Sequence, residues 1–458
     1  MTRVEAERMH VRSAFSFGLS LAFFAAAIPG AAQSVPSVPL DPLVAKAVAA
    51  VSAERLRAID TKLVSFGTRS TFSEKSAPGR GVFAARAWIA EQFREIAKSA
   101  NGRMTVRYDS YVHRADGKRV PRDVEISSVI ATLKGDEPGS RTYVMSSHYD
   151  SRNSNNDDGV HDAPGADDNG SGTSAVIEAA RVMASLPVHA TIIFATFDSE
   201  EQGLYGSEHL ARELKANDID VEGDLNNDII GASIGDKGQS NPDFVRIFSE
   251  ALASNATPGA TNAIGNENDS PSRELARYTK ATSDQYVPGF DGHLIFRADR
   301  FLRGGDHESF NAEGFAALRF TEPVETFAHQ HQDVRMENGV QYGDLLKYVD
   351  FDYLKRVTQY NVASLASLAL GPGRPATASV ITKDLTNDTT LSWSAVPGAT
   401  SYDVVRRATT DAVWTNSENV GNVTTVTLPY SKDNWLFGIR AVDAEGHRSV
   451  VAFPLPVR

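Results

Sequence analysis

The chain predicts a mixed α/β fold, with a largely parallel central sheet covered by helices, followed by a small all-β sandwich. Three observations carry this. Apolar, β-branched runs of strand length alternate with segments of helical periodicity. The runs at 142–148 and 190–197 are apolar almost throughout, as strands buried on both faces are. After "GPGRPAT" (371–377) the text changes to short alternating runs separated by turn residues, the pattern of a sandwich.

The elements follow in order. Residues 45–66 are helical in pattern. Residues 82–100 form an amphipathic helix, with Phe83, Trp88, Ile89, Phe93 and Ile96 at helical spacing. Strands are expected at 104–111, 124–133 and 142–148, then a helix over 170–186. A buried strand at 190–197 leads to a helix at 207–215. A strand at 225–234, a helix at 242–254, a short strand at 315–320 and a long helix at 344–370 complete the α/β region. Trp393 and Tyr402 are the expected core aromatics of the sandwich. The organisation is thus a leader at 1–33, an α/β domain at 34–370 and a β-sandwich at 371–458.

The leader reads as a secretory signal. Arg3, Arg8 and Arg12 precede an apolar run at 14–28, and the small-residue stretch "PGAAQS" follows. Cleavage is expected near Ala32. The run is shorter than the roughly 20 residues a spanning helix needs, so no stable membrane insertion is expected after cleavage. The destination is secreted or periplasmic. A Pro-rich linker, "SVPSVPLDP", comes next.

Composition narrows the function. With 458 residues, 41% hydrophobic and 23% charged, the chain can bury a sizeable core in two or three domains. Its formal net charge of −12 opposes nucleic-acid binding, which needs basic patches. There is no cysteine. Thiolate zinc, disulfides and cysteine nucleophiles are excluded, so a metal must be held by His, Asp and Glu.

Those residue types collect at strand ends. "SSHYDS" places His148 and Asp150 after one strand, and "GADDNGSG" places Asp167 and Asp168 before a helix. "TFDSEEQGLYGS" places Asp198, Glu200 and Glu201 after another strand, and "NNDIIG" sets Asp228 in an apolar stretch. "HQHQD" offers His329, His331 and Asp333. Each alone has a bland reading: a solvated His, an Asp cap, a solvated acidic face. Asp228 needs a partner wherever it is buried. Successive strand C-termini are where an α/β sheet gathers one site. Two dications held there would explain the paired glutamates, one binding metal and the other acting as base, since bound cations invert the local pKa logic.

These motifs, with "GGDHESFNAEGF" between the last two, resemble the co-catalytic zinc aminopeptidases in type, order and approximate spacing over roughly residues 50–370. That family also holds glutamate carboxypeptidases and, more distantly, glutaminyl cyclases. The resemblance implies two divalent ions, most simply Zn²⁺, and peptide substrates. His148, Asp168, Glu201, Asp228 and His329 would be the metal ligands, with Asp168 bridging. Glu200 would be the general base and Asp150 would orient His148. His329 is preferred to its rival His331 for its distance to Asp333. Asp306 and His307 match a "DH" motif and would shape the pocket.

Alternatives stay open. A carboxypeptidase or dipeptidase would need a cationic clamp, for which Arg297, Arg300 and Arg303 are candidates. A glutaminyl cyclase or an inactive binding protein is disfavoured because no ligand of the set is missing. His161, His189 and His293 match no motif, and the acidic loop 152–162 reads as solvated. The C-terminal domain resembles a fibronectin type III module.

Overall fold

A computed structural model describes residues 40–75, 77–137, 141–251 and 265–457; the expected signal segment and most of its linker lie outside them. The first helical stretch is two helices, α1 (Pro42–Ala49) and α2 (Ala53–Val64). The break is set by a new cap: Ser52 accepts from the Arg55 amide, while its own N–H donates to buried Glu178. Helix α3 (Gly81–Ala97) follows, then β1 (Met104–His113), β2 (Val124–Leu133) and β3 (Thr142–His148). Helix α4 (Gly172–Met183), β4 (Thr191–Phe197), a single-turn α5 (Glu200–Gly203), α6 (Tyr205–Ala216) and β5 (Val221–Asn227) come next. Beyond them lie β6 (Phe244–Ser249), α7 (Pro271–Tyr286), β7 (Asp291–Ile295), α8 (His307–Ala312), β8 (Ala317–Thr321) and α9 (Phe351–Leu370).

Eight strands form one mixed sheet in the order β1-β2-β4-β3-β5-β8-β6-β7. The central four, β4, β3, β5 and β8, are mutually parallel. The β1–β2, β2–β4 and β6–β8 pairs are antiparallel. Alternate residues of the central strands enter opposite cores. Tyr143, Met145, Ile192 and Phe194 pack with α1–α4, α7 and α9, whereas Val144, Ile193 and Ala195 pack with Leu210 and Leu214 of α6 and Phe310 of α8. The carboxyl ends of three adjacent parallel strands therefore open at one edge of a covered sheet.

Two expectations fail here. The helix at 242–254 is instead strand β6, antiparallel to β8 and parallel to β7. Val245 and Ile247 alternate into the core, so the period is two, and pairing with β8 decides the segment; residues 252–254 lie outside those described. The long helix begins at Phe351, where Asp350 accepts from the Asp352 and Tyr353 amides, leaving Asp344 free for the site.

Beyond Leu370 come β11 (Ala378–Ile381), β12 (Thr389–Trp393), β13 (Ser401–Ala408), β14 (Asn416–Gly421), β15 (Thr425–Leu428), β16 (Trp435–Val442) and β17 (Leu455–Val457), after a small hairpin of β9 (Arg335–Glu337) and β10 (Val340–Tyr342). Sheets β15-β12-β11-β17 and β14-β13-β16 share a core in which Trp393 and Tyr402 meet with ring centroids 5.5 Å apart. Buried charges tie this part to α7. Asp269 pairs with Arg277 at 3.2 Å and with Arg407 of β13 at 2.6 Å. Glu274 pairs with Arg277 and accepts from Trp414 Nε1 at 2.8 Å. All four charged residues of this cluster are buried.

Candidate active site

His148 ends β3, fully buried. Its Nε2 lies 3.3 Å from Asp168, 3.7 Å from Asp228 and 3.9 Å from Glu200. Its Nδ1 faces the Asp150 carbonyl at 3.2 Å and the Asp150 carboxylate at 3.4 Å. Asp150 also accepts the amides of Glu200 and Glu201 at 3.2 and 3.3 Å. It holds the first turn of α5 against the end of β3.

The two glutamates owe their direction to that turn. Ser199 and Leu204, with φ of 66° and 63°, bracket α5 in the left-handed region, a conformation costing on the order of 1–3 kcal/mol each for a non-glycine residue. Gly206 lets α6 start directly on the end of β4, since a Cβ there would lie 2.4 Å from the Asp198 carbonyl. Glu200 points towards His148 and Asp228. Glu201 points the other way, towards Arg152 at 3.0 Å and His331 at 2.9 Å.

Asp168 stands between the two halves. One oxygen is 3.3 Å from His148 Nε2 and the other 3.0 Å from His331 Nε2. It sits in a wide turn, Ala166–Ser171, anchored from behind by Asp344, whose carboxylate accepts the Asp167 and Asp168 amides at 2.9 and 2.7 Å. Asp228 follows β5 and pairs with buried Arg319 at 2.9 Å. Arg319 in turn pairs with Asp299 at 3.0 Å.

The expectation for His329 is corrected. Its ring stacks on Tyr348, with centroids 3.7 Å apart, and it does not line the pocket. His331, with φ of 52°, turns its ring in to Asp168 and Glu201. Asp333, whose proximity favoured His329, instead accepts from Ser154. His307 donates Nε2 to the Ala298 carbonyl at 2.9 Å and faces Asp299, which Arg319 already occupies. Arg297 lies over Phe301, outside the pocket lining. Sequence reasoning missed Arg152, Arg319 and Asp344. Of these, only Asp344 carried a signal, as an acidic residue ahead of a helix that has its own cap in Asp350.

Two groups of three side chains result: His148, Glu200 and Asp228, and Asp168, Glu201 and His331. In each group the candidate ligand atoms lie within 4.8 Å of one another. With His148 buried behind them, Asp168, Glu200, Glu201, Asp228 and His331 line a cavity of about 330 Å³ together with Arg119, Arg152, Arg300 and Arg303. Its electrostatics are those of a cation site. Burial raises the Glu200 pKa well above the carboxylate range, and Asp228 and Glu201 push it further. Burial works to lower the His148 pKa, but Glu200, Asp150, Asp168 and Asp228 outweigh it and raise it strongly. His331, opposed by burial but facing Glu201 and Asp168, is pushed up to about 10. His148 Nε2 and Glu201 Oε1 are buried with no hydrogen-bond partner, a debt that metal coordination would settle. The donor set of imidazole and carboxylate fits zinc.

Residues 128–345 match peptidase family M28. A protein of Leptosphaeria maculans named a probable zinc metalloprotease is 47% identical over 411 residues, 89% of this chain and 95% of that protein. Another of Pyrenophora tritici-repentis, likewise named, is 46% identical over 431 residues, 93% of this chain and 89% of that one. Among solved structures, the Legionella pneumophila LapA aminopeptidase superposes with a TM-score of 0.50 at 20% identity, covering 71% of this chain and 74% of that one. That likeness concerns the fold. With near-full-length relatives at this identity and the matching span enclosing most of the site, the chain belongs to peptidase family M28.

Proposed function

We propose that the chain is a dinuclear zinc aminopeptidase. The observation that carries this is Asp168, one carboxylate with an oxygen beside each of two histidines. His148, Asp168 and Asp228 would hold one ion; Asp168, Glu201 and His331 the other. The names of the fungal relatives support zinc as the metal. Bound there, zinc supplies Lewis acidity toward the scissile carbonyl and makes water a better nucleophile near neutral pH.

The chain's own groups do the rest. Glu200, not needed to complete either ligand set, takes a proton from the attacking water and returns it to the leaving amine nitrogen. Asp150 fixes both His148 and the α5 amides, so base and ligand keep one geometry. Arg319 holds Asp228 in place. The carboxylates around the pocket suit a substrate's free α-ammonium. The basic and then apolar stretch up to Ala32 supports export; among the described residues, no helix is long and apolar enough to cross a membrane.

The test is to count bound metal and assay aminoacyl p-nitroanilides with free and acetylated amines. The expected result is two metals per chain, with cleavage of the free-amine set only, abolished by chelator and restored by zinc. Cleavage of the acetylated set, or one metal per chain, refutes the reading.

A further inference from the structure

The turn that carries both glutamates is held from two sides. Helix α5 is a single turn, closed by the Leu204 amide on the Glu200 carbonyl at 3.0 Å. A lone turn fixes several dihedrals for few bonds and does not hold itself, and here left-handed residues stand at both ends. Asp150 holds it by the Glu200 and Glu201 amides. The carbonyl side is held by a different part of the chain, the tip of the β1–β2 hairpin.

Strand register brings that tip there. β2 runs antiparallel to β4, with Val129 opposite Thr196, so the loop 114–123 ahead of β2 lies at the carboxyl end of β4, where α5 follows. Asp116 closes the loop by accepting the Lys118 and Val120 amides at 2.7 and 2.9 Å. Val120 is fully buried in a small core with Phe72, Val124 and Ile126, against which Tyr111 and Tyr205 pack. Three bonds then join the hairpin to the turn and its exit. Arg119 Nη2 donates to the Glu201 carbonyl at 2.6 Å. Tyr111 donates to the Tyr205 carbonyl and Tyr205 to the Asp116 carboxylate, both at 3.0 Å. The His113 ring lies against Tyr205 with centroids 4.0 Å apart.

We propose that the hairpin tip positions the Glu200–Glu201 turn, with Arg119 as a positioning residue that acts through the Glu201 backbone and makes no contact with substrate. A guanidinium on a carbonyl is a charge-assisted bond, and a small displacement of a base or ligand is amplified in the rate. The inference rests on the roles given above to the two glutamates in an aminopeptidase, so its test reads metal binding as well as hydrolysis.

In the zinc-loaded protein, Arg119→Ala should lower kcat about tenfold, the low end for groups that orient metal ligands, with KM and Tm little changed. Zinc affinity, measured by chelator competition, should fall by a similar factor. Arg119→Lys can still donate to the carbonyl and should recover part of both. Lys118→Ala removes the same charge from the same loop and should leave both unchanged. Arg119 is exposed; should its variant nevertheless fold poorly, Tyr205→Phe keeps the ring, loses the Asp116 bond and should move kcat and zinc affinity the same way. Weaker zinc binding in Arg119→Ala, with no hydrolysis of any peptide by the wild type, supports the positioning role and refutes the aminopeptidase. A loss confined to KM, an equal effect of Lys118→Ala, or wild-type kcat and zinc affinity in both Arg119→Ala and Tyr205→Phe overturns the proposal.

Discussion

Asp150→Asn is the substitution with the most legible consequence. The shape is kept, but one acceptor oxygen replaces two. Asp150 now accepts from the Glu200 amide on one oxygen and the Glu201 amide on the other. In the variant one of these amides must face an NH₂ group. A buried donor stranded in this way costs about 1–3 kcal/mol, and the long distances here place it in the lower half, roughly tenfold in an equilibrium constant. His148 keeps the Asp150 backbone carbonyl at 3.2 Å, so its orientation survives. The loss should fall on the Glu200–Glu201 turn. Chelator competition should show metal affinity reduced about tenfold, in the range found for groups that orient metal ligands, with kcat reduced at saturating metal and little change in Tm. Wild-type affinity together with wild-type kcat would show that Asp150 does not position this turn.

Three further outcomes are expected. Glu200→Gln should retain both metals and lose about 10²–10⁴ in kcat, whereas Glu201→Gln should lose or weaken one metal; equal metal content in the two would refute their division of labour. His331→Ala should release one metal, while His329→Ala should keep both and cost only its stacking on Tyr348, about 0.5–1.5 kcal/mol; elemental analysis and melting separate them. His447 bonds Asp443 at 2.9 Å and Asp41 at 2.6 Å, and these bonds, against partial burial, raise its pKa to about 9. The stabilisation is fully present below the unfolded value near 6.5 and is lost as pH rises through 9, so Tm should fall over that window in the wild type and stay flatter in His447→Gln.

Most of the site was readable because its residues follow strands. His148, Glu200, Glu201 and Asp228 stand where apolar runs stop, and a parallel sheet brings such ends together. His331 was not readable in that way. It sits on a loop, and a single left-handed residue decides which of two nearby imidazoles turns inward. Distance along the chain to Asp333 carried no information, because Asp333 bonds Ser154. Helix α7 was missed for a different reason. Its capping signal was present, Ser270 before Pro271 with Glu274 in the first turn, but Arg273, Glu274, Arg277 and Thr279 are buried where patterning expects apolar residues. Their partners lie far along the chain, so no local window contains the reason for their burial. Arg319 is the same case at the site: a buried cation in a strand, explained by Asp228 and Asp299.

The charged seam between α7 and the C-terminal sheets bears on how the enzyme is made. A chain leaves the ribosome from its N-terminus, so Asp269, Glu274 and Arg277 emerge well before Arg407 and Trp414. Until those arrive, Asp269 and Glu274 have Arg277 as their cationic partner and meet water where the C-terminal sheets will cover them. The final strands therefore cover this flank of the α/β body, and a chain cut short after Leu370 would leave Asp269 and Glu274 without Arg407 and Trp414.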